Sequence, residues 1–250
     1  SNENLFDVFC DTLQFNNIVL KERSVVVMAE TMVAATQGII VHENSIKNVS
    51  DKAKKLALEF GMEERLVQLI LDEATHVIGG VPGVLLTEKD GILIANSGID
   101  KSNAGGQGFY TIWPREPFKS MENLLKQIKQ RYNLKEFGLI LSDSRVQPMK
   151  RGVIGVAIAV AGFEPLIDCR GRKDLFGNIM RFEVRALADQ LADAAHVVMG
   201  ECDECTPFVL IEDAPVNYTD KPIDPKAMLI PQHEDLYVSI LQKYNEIMDK

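Results

Sequence analysis

The chain has 250 residues, 46% of them hydrophobic and 25% charged, which suits one large domain or two small ones with ample core. Thirty-six acidic residues against 27 basic ones give a formal net charge of −9, which argues against a nucleic-acid or anionic-membrane surface, since both need a basic patch. The longest apolar stretches, Ser24 to Val33 and Val153 to Gly162, fall well short of the ~20 residues of a membrane span, no secretory signal is visible, and the four cysteines, Cys10, Cys169, Cys202 and Cys205, fit a reducing cytosol better than a disulfide scaffold.

Residues 4 to 14 carry Leu5, Phe6, Val8, Phe9 and Leu13 at helical spacing, and Ser24 to Met28 reads as a strand. A stretch of small and apolar residues follows from Met32 to Val41, with Gly38 at a turn. Asn48 or Ser50 caps a helix carrying Ala53, Leu56, Ala57 and Phe60, and Gly61 ends it; a second helix from Glu63 turns Leu66, Val67, Leu69 and Ile70 inward. Val84 to Thr87 and Ile92 to Asn96 flank an Asp90-Gly91 step, a hairpin signal. The loop Gly105-Gly106-Gln107-Gly108 matches neither a dinucleotide fingerprint nor a Walker loop and reads as a flexible segment. It leads to a strand, Phe109 to Trp113, and a turn from Pro114 to Pro117.

Ser120 is placed to cap a helix with Met121, Leu124, Leu125 and Ile128 on one face, and Phe137 to Leu141 and Ile154 to Ala161 read as buried strands. Val184 to Met199 reads as an amphipathic helix through Leu187, Leu191, Ala195 and Val198, and Phe208 to Ile211 as a strand. Residues 213 to 232, rich in Pro, Asp and Asn, form an extended excursion before a last helix, Leu236 to Met248, with Ile240, Leu241, Tyr244 and Ile247 on one face. Strands outnumber βαβ units, so the expected class is α+β, with mixed, largely antiparallel sheets and flanking helices.

Two short acidic clusters follow apolar runs: Gly98-Ile99-Asp100-Lys101-Ser102-Asn103 and Ser142-Asp143-Ser144. Carboxylates just past strands sit on a rigid scaffold yet reach a cleft, and hard cations such as Mg²⁺ or Mn²⁺ prefer such oxygen ligands. Asp100 and Asp143 therefore make a candidate divalent-metal pair suited to phosphate chemistry. From the residues alone an equal alternative is that both aspartates cap local turns. Glu201, after Gly200, reads first as part of a helix C-cap, and His196 as a structural residue on a helix face. Cys202 and Cys205 form a single CxxC, which is incidental without a second pair or a nearby His. Arg170-Gly171-Arg172-Lys173-Asp174 is the densest basic spot, either a clamp for phosphate or carboxylate groups or a solvated loop. There is no GxSxG elbow and no HExxH helix.

The ordered set of these segments resembles the coenzyme F420-0:gamma-glutamyl ligases. The likeness is carried by Ser97 to Asn103, by Ser142-Asp143-Ser144 leading through Pro148 to Lys150-Arg151-Gly152, by Val153 to Gly162, by Arg170 to Gly177, and by Leu187-Ala188-Asp189 through Met199-Gly200-Glu201. It spans about residues 24 to 212 and implies a ligase-like fold. It also implies a catalytic unit over 1–220, made of two intertwined subdomains (about 1–104 with 200–220, and 105–199), followed by a helical extension over 221–250.

The resemblance further implies a GTP-dependent, metal-requiring enzyme that adds L-glutamate to a 5-deazaflavin coenzyme through an acyl phosphate. Asp100 and Asp143 would hold one Mg²⁺ or Mn²⁺, and Ser144 and Glu201 a second. Asn103 and the loop Met199, Gly200, Glu201, Cys202, Asp203, Glu204, Cys205 and Thr206 would touch GTP. A cytoplasmic homodimer is implied, with the active site near the subunit interface; no individual catalytic residue is.

Three departures accompany the likeness. Where the family carries Ser-Lys-Ala-Glu-Gly, this chain has Ala34-Ala35-Thr36-Gln37-Gly38, without the cation. The family's Thr-x-Gly-Arg reads here as Ser144-Arg145-Val146-Gln147, and a Gly-Asp-Asp-Leu type motif has no counterpart before Leu5. Losing one charged phosphate contact is worth ~1.5–3 kcal/mol. A divergent ligase acting on another carboxylate, or a weakened homologue that binds nucleotide or coenzyme without turnover, are therefore the alternatives.

Overall fold

The computed structural model describes residues 4–237, so the helix expected over Leu236 to Met248 lies, past Tyr237, outside the described residues. In chain order the elements are α1 (Leu5–Phe15), β1 (Ser24–Ala29), α2 (Glu30–Thr36), β2 (Ile40–His42), α3 (Asp51–Phe60), α4 (Glu64–Glu73), β3 (His76–Val81), β4 (Val84–Lys89), β5 (Ile92–Ala95), β6 (Phe109–Thr111), α5 (Pro117–Tyr132), β7 (Phe137–Val146), β8 (Val153–Ala161), β9 (Leu166–Asp168), β10 (Val184–Ala186), α6 (Leu187–Met199) and β11 (Phe208–Ile211). This is the α+β class expected from strands outnumbering βαβ units.

The central sheet has the order β11-β1-β7-β8. β1 runs parallel to β7 and antiparallel to β11, and β7 and β8 form a long antiparallel hairpin. Both faces of the sheet are covered, so its strands are continuous apolar runs rather than alternating ones. Val26, Met28, Leu139 and Leu141 turn to one face, where Phe9 and Leu13 of α1 and Met121, Leu124, Leu125 and Ile128 of α5 pack. Val25, Val27 and Ile140 turn to the other, against Leu187, Ala188, Ala192, Ala195 and Met199 of α6. β8 is an edge strand, and α6 blunts that edge: Asp189 and Asp193 accept hydrogen bonds from the N–H groups of Ala157 and Gly155.

A second layer of structure packs its own core from α3, α4, Leu85, Ile99, Tyr110 and Ile112. Ser50 caps α3 by accepting from the Ala53 N–H, and Gly61 closes it in the left-handed conformation, as the sequence predicts. β3, β4 and β5 form an antiparallel meander, and the Asp90-Gly91 turn has positive φ at both residues, the requirement of a tight type I′ hairpin.

Four sequence expectations shift. β7 does not stop at Leu141 but continues to Val146, because β8 supplies ladder partners for Ser142, Asp143, Ser144 and Arg145; the second acidic cluster lies inside a strand, just past a bulge between Leu141 and Ser142. α5 begins at Pro117, whose fixed φ suits the first helical position, so Ser120 lies inside the helix rather than capping it. Val184–Ala186 pairs with β9 as a short strand, and the helix expected from Val184 begins at Leu187. Met32 to Thr36 is helical, as the second half of α2. Among the described residues no helix is long and apolar enough to cross a membrane.

Gly162 and Gly83 separate backbone strain from crowding. Their φ values are nearly equal, +89° and +88°, but a Cβ on Gly162 would sit 2.3 Å from the Phe137 carbonyl oxygen while one on Gly83 would meet nothing within 4 Å. Gly83→Ala is therefore expected to cost about 1–2 kcal/mol, the left-handed penalty alone. Gly162→Ala should exceed that by at least about 2 kcal/mol, since the β7 backbone must move. Urea unfolding of the two variants measures the difference, and equal losses would contradict this packing.

Candidate active site

The parallel register of β1 and β7 sets the site. Ala29 lies opposite Ser142, so Glu30, the first residue of α2, emerges beside Asp143. Successive residues of β7 face opposite ways: Ser142 turns toward α6, while Asp143 follows Leu139 and Leu141 to the face that holds Trp113. The Trp113 indole N–H donates to Asp143 Oδ2 at 2.6 Å, and the Ser144 N–H donates to Oδ1 at 2.6 Å. Trp113 fits there only because residue 98 is glycine: a Cβ on Gly98 would lie 2.2 Å from the indole nitrogen. Above the indole ring, Lys89 Nζ sits 5.7 Å from the centroid. That ammonium is spent on Glu73 at 2.7 Å, which the Arg115 guanidinium also grips with both nitrogens. Burial alone would push the Glu73 carboxyl up, but these two cations hold it below the ordinary value.

Asp143 has no such cation. Burial pushes its carboxyl up to about 6; the hydrogen bonds from Trp113 and Ser144 oppose that shift, and the charges of Asp100 and Glu201 add to it. Glu30 is buried and pushed well above the ordinary carboxylate value by the same cause, with Asp143 and Asp100 contributing. Asp100 is held by the backbone bridge to Thr111 and accepts from both the N–H and the hydroxyl of Ser102. It thus caps its own turn, as one of the two sequence readings has it, and its charge acts on Asp143 and Glu30.

Glu201 follows α6, where Gly200 adopts φ +72°. One of its carboxylate oxygens, Oε1, lies 3.2 Å from His196 Nδ1. The loop from Met199 to Thr206 is tethered to the first acidic cluster, Asn103 Nδ2 donating to the Cys202 carbonyl at 3.1 Å, and is curled by a bond from the Cys202 N–H to Glu204. Met199 is buried, while Glu201 through Cys205 are exposed. Sequence reasoning found Asp100, Asp143, Ser144, Asn103 and Glu201, which the fold brings to one region. It missed Glu30 and Trp113, and weighed His196 as structural. Arg170, weighed as an anion clamp, is bound by Asp168 at 2.6 Å.

Among the described residues no three His, Cys, Asp or Glu side chains close into a ready-made ligand cluster. The donor set still suits a hard divalent cation: all-oxygen, anionic, buried at Glu30 and half-buried at Asp143, with no Lys or Arg among the groups that shift either carboxyl.

The raised Asp143 carboxyl carries a stability signature. The folded protein holds this proton more tightly than the unfolded chain, so its contribution is favourable at low pH and is lost as pH rises from about 4 through about 6. Roughly two units correspond to a cost of about 3 kcal/mol at neutral pH. In chelator-treated protein, Asp143→Asn should raise unfolding stability at pH 7.5 by up to that amount and by about 1 kcal/mol less at pH 5; a pH-independent effect in urea unfolding would contradict the buried charge.

Comparison with known proteins places this geometry. The profile of the F420-0:Gamma-glutamyl ligase family matches residues 1–213. The chain is 36% identical over 219 residues to the coenzyme F420:L-glutamate ligase of Methanococcus maripaludis strain C7, covering 87% of this chain and 86% of that one. The enzyme of the same name from Methanocaldococcus jannaschii gives the same identity and coverage, and that from Methanopyrus kandleri is 36% identical over 192 residues, 76% of this chain and 75% of the relative. The matched span contains β1, β7, α6 and every carboxylate of the site, and the chain belongs to the F420-0:gamma-glutamyl ligase family.

Proposed function

We propose that this protein is a metal-dependent, GTP-using ligase that forms an amide between L-glutamate and a carboxylate acceptor, coenzyme F420-0 by default. The observation that carries the reading is the convergence of Glu30, Asp100, Asp143 and Glu201, with Asp143 half-buried and lacking a cation, in a chain of this ligase family. Asp100 and Asp143 would hold one Mg²⁺ or Mn²⁺, and Ser144 and Glu201 a second. Mg²⁺ usually takes one or two protein carboxylates and completes its shell with substrate phosphates and water, so two protein ligands per ion would suffice. Bound there, the ions would neutralise the triphosphate and polarise its γ-phosphoryl group.

The chemistry needs two displacements. An acceptor carboxylate oxygen forms a bond to the γ-phosphorus as the bond to the β-phosphate oxygen breaks, releasing GDP. The glutamate amine then attacks the acyl carbon and expels inorganic phosphate, the amine losing a proton. This chain contributes positioning: Trp113 and the Ser144 N–H fix Asp143, the Ser102 turn fixes Asp100, and the Asn103 tether holds the loop from Met199 to Thr206 against the nucleotide. α2 offers no cation, since Ala34 is fully buried and Ala35 is alanine. Arg145 stands two residues beyond Asp143 on β7, forms no salt bridge among the described residues, and acts with its charge on Asp189 of α6; from that strand it would take over the phosphate contact.

The exposed side chains of Met149, Leu175, Phe176 and Phe182 support the homodimer, because a monomer gains nothing by leaving them in water. Four free cysteines agree with a cytoplasmic setting.

Incubation with GTP, Mn²⁺, L-glutamate and a deazaflavin acceptor should give a product heavier by one glutamyl unit together with GDP; formation of neither overturns the reading. Arg145→Ala should raise the KM for GTP about tenfold to a hundredfold with little change in melting temperature, and an unchanged KM removes Arg145 from the phosphate site. In a thermal-shift assay with GTP and Mn²⁺, Asp143→Asn should abolish the metal-dependent part of the shift, and a shift that survives places the ions elsewhere.

A further inference from the structure

His196 lies one α-helical turn before the end of α6, and its ring reaches both β7 and Glu201. Its Nε2 meets the Ser142 hydroxyl and its Nδ1 meets Glu201 Oε1. Ser142 is fully buried, and His196 is the partner of its hydroxyl. An ionised carboxylate can only accept, so Nδ1–H donates to Glu201, and in the neutral imidazole Nε2 then accepts from the Ser142 O–H. The backbone makes room for this ring at Gly155 on β8, where a Cβ would lie 2.5 Å from His196 Cδ2 and 2.7 Å from the Ala192 carbonyl oxygen. α6 therefore approaches the sheet closely enough to lay the imidazole between strand and loop.

We propose that His196 is a positioning residue for Glu201. It anchors one carboxylate oxygen to β7 at the residue adjoining Asp143 and leaves Oε2 for a cation, so the exposed loop after α6 and the buried strand present their acids in a fixed relation. Without the imidazole, Glu201 sits on a loop whose other described ties, Asn103 to Cys202 and Cys202 to Glu204, do not reach its carboxylate. Partners that hold a ligand carboxylate typically change metal affinity about tenfold to a hundredfold when removed. This inference rests on the reading of Glu201 as a metal ligand.

The test is Mn²⁺ affinity, measured calorimetrically on the full chain with a non-hydrolysable GTP analogue present, together with the melting temperature of each variant. His196→Ala should weaken Mn²⁺ binding about tenfold. His196→Asn, whose amide nitrogen takes the place of Nδ1, should restore it. His196→Gln, which reaches the Nε2 position and Ser142 only, should not restore it even where it recovers the melting temperature. Wild-type affinity in His196→Ala, or equal rescue by Asn and Gln, overturns the positioning role and leaves the metal site standing. Glu201→Gln is the control: if it binds Mn²⁺ like the wild type, Glu201 is no ligand, and the inference falls with that reading.

Discussion

A half-buried carboxylate with no cation beside it is the constraint around which this molecule is arranged. Asp143 lies inside a strand, next to residues that complete both hydrophobic cores, and faces three further acids. Ionised at neutral pH, it costs stability that the surrounding packing must offset, since an uncompensated charge in a low dielectric is among the most expensive features a fold carries. The protein does own cations nearby, but it directs them away. Lys89 and Arg115 are both committed to Glu73, and only the ring of Trp113 stands between Lys89 and Asp143. A Lys on Asp143 would have relieved the strain and closed the site. Neutral donors, an indole N–H and a backbone N–H, orient the carboxylate without cancelling its charge.

Two packing decisions make that arrangement possible, and both are glycines at close approaches. Gly98 lets the indole lie over the turn before Asp100, and Gly155 lets α6 descend on β8 until the His196 ring touches β7. One serves the first acidic residues and the other serves Glu201, so each half of the site depends on a missing Cβ. β7 joins the halves through its alternation: Ser142 looks toward α6 and Asp143 away from it, so adjacent residues serve partners on opposite faces of one sheet. The bulge between Leu141 and Ser142 takes up the extra β8 residue where the buried strand passes into the site.

Local rules recovered what is local. The Ser50 cap, the Gly61 stop, the Asp90-Gly91 turn and the apolar strands at Ser24, Phe137, Ile154 and Phe208 were legible because capping, turn chemistry and burial leave residue signatures. The limits were also physical. A polar run after Leu141 resembles a strand end, yet Ser142 to Val146 stay in the ladder because β8 pairs with them. Short ribbons such as β9 and β10 have too few residues for a periodic signal. In the site, Asp100, Asp143 and Glu201 could be proposed because each sits in a recognisable run. Glu30 could not: its importance comes from the register of β1 against β7, and that pairing joins residues more than a hundred positions apart. Trp113 was equally hidden, since nothing in its neighbourhood names Asp143 as its partner. His196 was visible but ambiguous, because a histidine on a helix face gains meaning only from what the opposite strand presents.

The same reasoning bears on the departures at Ala35 and Ser144. A phosphate-gripping cation need not come from one sequence position; it must reach the same space from a rigid element. α2 begins at Glu30, whose carboxyl lies among the acids, and the helix carries no cation of its own. In the proposed site the positive charge would come instead from Arg145, on the strand that carries Asp143, two residues and ~7 Å farther along. A guanidinium also suits that duty better than an ammonium, because its planar fork can hold two phosphate oxygens at once. On that reading Asp143 and the phosphate contact would share β7, while Glu30, Asp100 and Glu201 reach the site from other elements.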